Sequence, residues 1–295
     1  YLLAPLRGDG VYRISGTRGT VKLLTFSTGR NMMGMSAEPG RNFDYFDADD
    51  LALGADGTLE VILSAERPAG HQGNWWPLHR EAEFILVRQR SYDWGREQDA
   101  RLAIERLDPQ PPKPRQSIET IDRQLRALLA GFAAQLSRQW LTYQKSARDR
   151  GLVNRLEFTT MGNAVGGQYY WQGIFDVAPD EALILEELWN AVEFIYRQSS
   201  LNGHQARVDS DGRFRAVIAH VDPGVANWLD PVGSRQGMLI GRWYGCSTNP
   251  VPTLTRVPLA DLRRHVPADT PILTAAEREA QLRTRRLGAQ LRRRW

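Results

Sequence analysis

Residues 211–243 read DGRFRAVIAHVDPGVANWLDPVGSRQGMLIGRW. The stretch predicts a strand over 213–221, a Pro-Gly turn, an Asn-Trp-Leu-Asp element, and a second strand over 238–243. A weaker copy stands at 56–88, DGTLEVILSAERPAGHQGNWWPLHREAEFILVR. Asp56-Gly57 matches Asp211-Gly212, Pro68 matches Pro223, Asn74-Trp75 matches Asn227-Trp228, and Arg88 matches Arg242. Upstream, Tyr12 and Gly16 match Tyr169 and Gly173 at identical spacing. Matches in this order with small gaps predict a tandem duplication. Each copy is mostly short strands and turns, the pattern of a sandwich or jelly roll.

The Tyr-x-x-x-Gly, Asn-Trp and terminal Arg pattern resembles the bacterial domain of unknown function 1214. It is carried by Tyr12, Gly16, Asn74, Trp75 and Arg88, and again by Tyr169, Gly173, Asn227, Trp228 and Arg242. The resemblance covers roughly 1–108 and 165–245. It implies a jelly-roll-like β-sandwich and no established activity.

The expected fold is therefore mainly β with helical insertions. It has a first β unit at 1–108, a Pro-rich linker and amphipathic helix at 109–150, a second β unit at 151–265, and a basic helical tail at 266–295. Within the first unit, 11–24 reads as a hairpin and 25–50 as long loops with at most a short strand. Residues 58–65 alternate cleanly, with Leu59, Val61, Leu63 and Ala65 on one face. Strands are also expected at 83–90, 103–107, 167–177 and 182–185, a short helix at 189–198, a short terminal element at 257–264, and a longer basic helix at 274–294. Ile118, Ile121, Leu125, Leu128, Phe132, Leu136 and Tyr143 fall at three- and four-residue steps behind a Ser117 N-cap. That predicts one helix over 117–145.

Bulk composition bounds the function. The 295 residues are 42% hydrophobic and 24% charged, an ordinary globular balance. Residues 277–295 hold seven Arg and two Glu against a net charge of +4, which leaves the rest at about −1. A near-neutral body argues against nucleic acid as the main partner. The basic tail reads as a solvated or subunit-bridging helix, and a homo-oligomer is expected. A lone Cys246, read as a buried inert thiol, excludes an intramolecular disulfide framework. It fits a reducing, cytoplasmic compartment. The chain starts at Tyr1, so an export signal upstream stays open. No apolar run approaches the ~20 residues of a membrane helix.

The copies diverge in an informative way. His220, Asp222 and Asp230 stand where the first copy has Ala65, Arg67 and Pro77. With Arg242 they form the candidate catalytic set: His220 as general base, Asp222 orienting it, Arg242 stabilising an oxyanion. Asn227, Trp228, Tyr169, Tyr170 and His204 are the candidate substrate contacts. The plainer alternative is that Asn-Trp and Arg are framework, with Asn capping a turn and Trp plugging the sandwich. His204 and Asn202 with Asp209 and Asp211 match no metal loop, and no metal or organic cofactor is expected. The Gly-rich run at 161–167 lacks phosphate-loop spacing. Three functions stay open: acid–base catalysis on a small, partly apolar or aromatic molecule (a lyase, isomerase or hydrolase); binding of a carbohydrate or hydrophobic ligand without turnover; and assembly through the helices.

Overall fold

The computed structural model describes residues 1–31, 40–109, 115–159, 168–186, 196–244, 248 and 250–292, without the side chains of 132–136, 159, 168, 186 and 244. The predicted helix over 189–198, the Gly-rich run at 161–167 and Cys246 lie wholly or mostly outside the described residues. Two compact units divide the chain: Tyr1–Ser91 with Glu97–Trp140, and Tyr92–Arg96 with Leu141–Trp295.

The first unit holds β1 (Leu2–Pro5), β2 (Tyr12–Thr17), β3 (Leu23–Arg30), β4 (Arg41–Asp47), β5 (Thr58–Ser64), β6 (Trp75–Pro77), β7 (Phe84–Arg90) and β8 (Arg101–Arg106). They form two four-stranded sheets, ordered β1-β7-β3-β4 and β6-β5-β2-β8. The alternation read from 58–65 is realised: Leu59, Val61 and Leu63 are buried with Ile14, Phe26, Trp76 and Ile85 from both sheets. This is the mutual covering of apolar faces that makes a sandwich.

Two expectations are corrected here. Residues 11–24 are not a hairpin. β2 pairs with β5 and β8, and β3 with β4 and β7, so the chain changes sheet between them. The 25–50 stretch is not mainly loop, since β3 and β4 pair across it. Its Gly and Asn content hid two strands, the first of them buried along almost its whole length.

The linking helix starts as predicted. Ser117 Oγ accepts from Thr120 N, capping α1 (Ile118–Ala127). A π-turn at Leu128–Phe132, containing Gly131, then interrupts it before α2 (Ala133–Asp149). An inserted residue of this kind rotates the stripe of the following helix. No residue of α1 is buried, and Ile118, Leu125 and Leu129 are largely exposed.

The second unit contains β9 (Arg155–Thr159), β10 (Gln168–Asp176), β11 (Glu181–Glu186), β12 (Ala216–Ile218), β13 (Trp228–Leu229), β14 (Gln236–Tyr244), β15 (Thr253–Pro258) and α3 (Ala275–Leu291). β10 pairs with β14, and the other sheet runs β13-β12-β11-β15. Trp171, Phe175, Leu183, Leu185, Ile218 and Leu239 fill the space between them. The strand predicted over 213–221 shortens to three residues. Among the described residues no helix is long and apolar enough to cross a membrane.

Local construction repeats between the units. In the first, Asn74 donates through Nδ2 to Ala52 O and Glu60 O and accepts at Oδ1 from Ala52 N, at 2.9 Å each. In the second, Asn227 donates through Nδ2 to Arg207 O (2.6 Å) and Arg215 O (2.8 Å) and accepts at Oδ1 from Arg207 N (2.9 Å). The following tryptophans each join a parallel strand pair, Ile62 beside Trp75 and Val217 beside Trp228. The Asp-Gly turns close alike, with Gly57 N on Gly54 O and Gly212 N on Asp209 O.

One part of the sequence match does not hold. Tyr12 sits on β2 opposite Leu63, whereas Tyr169 sits on β10 opposite Trp243. By strand pairing, Tyr12 corresponds to Leu183, which faces Ile218. The true counterpart pair is Tyr1 and Tyr170, each under an arginine: Arg88 lies 5.9 Å from the Tyr1 ring centre and Arg242 5.2 Å from that of Tyr170. The glycines that seemed to match share a cause rather than a position. A Cβ on Gly16 would stand 1.9 Å from Arg101 O, and one on Gly173 2.2 Å from Arg155 O, both backbone oxygens next door.

Candidate functional site

The second unit contains a cavity of about 470 Å³. Three segments wall it: Tyr92–Gly95, residues 198–207, and the face of α3 that carries Glu277, Ala280, Gln281, Thr284 and Arg285. Ala226 and Leu273 complete the lining.

Each wall is fixed by identifiable bonds. Asn202 ties two of them together. Its Nδ2 donates to Tyr92 O at 3.0 Å, while its Oδ1 accepts from His204 N (3.0 Å) and Gln205 N (3.1 Å). Side-chain capping of this sort is what makes Asn a turn residue. The far end of the 198–207 segment is held by the Asn227 bonds to Arg207 described above. Helix α3 begins at a reciprocal capping box between Thr274 and Glu277. Those bonds hold the Glu277 carboxyl below its usual range.

Two arginines dock α3. Arg278 is almost fully buried and donates to Asp222 Oδ2 (2.8 Å), Ala226 O (3.2 Å), Gln281 Oε1 (3.1 Å) and Val225 O, with its guanidinium 5.4 Å from the Trp228 ring centre. Arg285, seven residues on and so two turns along the same face, donates to Ser200 O (3.1 Å) and Ser200 Oγ and lies 5.3 Å from the Trp94 ring centre. Burial pushes its guanidinium down to about 10. The expected solvated tail is therefore a packed helix. It has arginines on its inner face as well as its outer one, because a guanidinium with full hydrogen bonding and an aromatic face tolerates burial.

The predicted site residues are dispersed. His220 Nε2 lies 3.1 Å from Val177 O, whereas Asp222 accepts from Arg278 and from Gly224 N (2.9 Å). Each therefore engages a different partner. Asp230 accepts from Val232 N (2.7 Å) and pairs with Arg197 at 3.0 Å. Arg242 stacks on Tyr170, and its buried Nε has no hydrogen-bond partner among the described residues. Trp228 donates from Nε1 to Ala219 O at 2.8 Å, as Trp75 does to Ser64 Oγ at 3.0 Å. Asn227 and Trp228 thus bond within the second unit as Asn74 and Trp75 do within the first. Tyr169 is about half exposed on β10. Only His204 of the predicted set lines the cavity, with Nε2 3.7 Å from Asp93 Oδ2. Asp209 and Asp211 are both gripped by Arg215 (2.7 Å each), which holds the Asp211 carboxyl down at about 2. Among the described residues no group of three or more His, Cys, Asp or Glu is arranged to hold a metal.

Sequence reading missed Tyr92–Gly95, Gln198, Leu201, Gln205, Arg207 and the α3 lining. Two signals pointed there. Thr274-x-x-Glu277 marks a helix start, and Arg278, Arg285 and Arg292 recur every seven residues on one helical face.

A family model described as "Protein of unknown function (DUF1214)" matches residues 4–93. The chain is similar to a putative uncharacterized protein from Burkholderia cenocepacia of known crystal structure, at 31% identity and a TM-score of 0.76, covering 88% of this chain and 76% of that one. The VPA0106 protein from Vibrio parahaemolyticus also matches, at 10% identity and a TM-score of 0.36 over 87% of this chain and 88% of that one. No curated protein matches. The chain belongs to the DUF1214 family.

Proposed function

We propose that the second unit binds a small, partly apolar organic molecule in the cavity between the 198–207 segment and α3. One observation carries this reading: a cavity of about 470 Å³ that combines apolar surface from Trp94, Leu201, Ala226, Leu273 and Ala280 with a limited set of convergent polar groups. That size and mixture are those of small-molecule sites. Substituting Ala280→Trp or Leu201→Trp should fill the space. The test is ligand-observed NMR of the full chain against a panel of mono- and bicyclic aromatic compounds. Binding that disappears in both variants supports the reading; binding undiminished in both refutes it.

Acid–base turnover of the bound molecule is the second reading, and the His204–Asp93 pair favours it. An imidazole at the cavity wall, 3.7 Å from a carboxylate, has the parts of a general base and its orienter. On this reading the acid–base role passes from His220 and Asp222, whose partners lie elsewhere, to His204. His204→Ala and Asp93→Asn should keep binding and abolish product formation. Turnover that survives both substitutions rejects the catalytic reading and leaves the binding one.

A further inference from the structure

Two amide side chains of the second unit are equally buried and used differently. Asn227, 6% exposed, spends its amide on three backbone bonds to Arg207 and Arg215. Gln198, 5% exposed, lines the cavity and bonds through its main chain, its carbonyl accepting from Asp230 N at 2.9 Å. Among the described residues the Gln198 side-chain amide has no hydrogen-bond partner. A buried amide left unpaired is costly, so in a folded chain it marks a place that water or a ligand completes. Two half-buried glutamines of the cavity walls extend the pattern. Gln205 bonds through its backbone N–H, and Gln281 accepts at Oε1 from Arg278 at 3.1 Å. The side-chain NH2 groups of both have no partner among the described residues. The acidic groups of the walls are already engaged, Asp93 with Gly95 N (3.1 Å) and His204, and Glu277 in its capping box.

Resting on the binding reading above, we infer that the ligand is neutral and carries an N–H donor and a C=O acceptor on one edge, as a lactam or amide does, and that Gln198 selects it. A primary amide presents N–H donors and a carbonyl acceptor in one plane. A carboxylate could take the donors but would leave the Gln198 oxygen unmatched, and an ammonium would do the reverse. A cis-amide edge answers both at once through paired N–H···O=C bonds. The apolar body of the ligand then lies in the space lined by Leu201, Ala226 and Leu273. A site built around a buried donor–acceptor pair rejects an analogue that lacks one of the two groups, because the protein group opposite is left dry.

Two probes of one shape test this: 2-quinolone, a lactam, and coumarin, in which a ring oxygen replaces the N–H. Each is titrated calorimetrically into the full chain, into Gln198→Met and into Ala280→Trp. The expected result is that 2-quinolone binds roughly tenfold or more tighter than coumarin. Gln198→Met keeps the length of the side chain and removes the amide. It should bring 2-quinolone down to the affinity of coumarin and leave coumarin unweakened. Its Tm without ligand should not fall, since no side-chain hydrogen bond is lost. Ala280→Trp should remove the binding of both probes. If coumarin binds as well as 2-quinolone, or the preference survives Gln198→Met, the lactam inference is overturned while the cavity reading stands. A Tm lowered by several degrees in Gln198→Met would make the amide structural and overturn it equally. If neither probe binds at millimolar concentration, the lactam inference falls, and the panel of aromatic compounds decides the cavity reading separately.

Discussion

Asn227 is the residue whose removal is most sharply calculable. Its side chain makes three hydrogen bonds to the backbone of Arg207 and Arg215, and it is 6% exposed. Replacement by Ala deletes all three and strands an N–H and two carbonyls in a site that water reaches poorly. Taking about 1 kcal/mol per hydrogen bond lost, Asn227→Ala should cost about 3 kcal/mol. In a domain of this size that corresponds to a fall of roughly 6–12 °C in Tm. Asn74 makes the same three bonds to Ala52 and Glu60 from a half-buried position, where water replaces part of what is lost. Asn74→Ala should therefore cost about half as much. Calorimetry of both variants separates the two, and amide hydrogen exchange at Arg207 and Ala52 gives the local readout. Arg207 N should lose protection in one variant and Ala52 N in the other. A cost below about 1 kcal/mol for Asn227→Ala, or a larger cost for Asn74→Ala, would refute the claim that burial sets the worth of this shared motif. Because Asn227 anchors Arg207, its loss should also loosen one wall of the cavity.

Other outcomes follow from single contacts. Arg215 holds Asp211 at about 2, below its ordinary value of 3.8, so the stabilisation is complete above that value and lost as pH falls through the folded one. Asp211→Asn should flatten the acid limb of the urea-midpoint profile between pH 4 and 2; an unchanged limb would show that the pair is silent. Tyr143 is pushed up to about 12, first by burial and then by Glu157, whose carboxylate is clamped by Arg150. Its contribution is intact below pH 10 and lost as pH rises through 12. In an ultraviolet titration, Tyr143→Phe should remove one late-ionising tyrosine, and removal of an early one instead would contradict the burial. Gly173→Ala places a methyl on Arg155 O, so it should lower Tm by several degrees; a neutral result would mean β9 yields easily. Arg278→Leu keeps bulk but abandons Asp222. It should destabilise the second unit by roughly 3 kcal/mol, and the double variant with Asp222→Asn should recover part of that loss.

How much of this was legible in the chain depends on how far apart the interacting residues lie. The alternation of Leu59, Val61 and Leu63 fixes a strand with one buried face, since side-chain direction in a strand has a period of two. Ser117 and the Thr274–Glu277 box fix helix starts, because capping acts over three residues. The repeated Asp-Gly and Asn-Trp fix turns whose bonds recur in both units. All are local, and a local pattern is written in the sequence that forms it.

What the sequence left undecided was pairing. Tyr12 and Tyr169 match in spacing yet lie on strands with different neighbours, and only register across β1–β7 and β10–β14 identifies Tyr1 and Tyr170 as counterparts. The divergence of Asp222 from the first copy drew attention to catalysis. Tertiary structure assigns that carboxylate to Arg278, more than fifty residues later, as the dock for α3. Likewise His204, singled out in the sequence, gained its surroundings from Asp93 and Arg285, which no spacing rule connects to it. A cavity is the space left where distant segments fail to close, so its lining is a property of packing. The sequence by itself determined the cleanly alternating strand at 58–64, the helix caps and the repeated turns; which side chains face the same space was decided by how the elements packed.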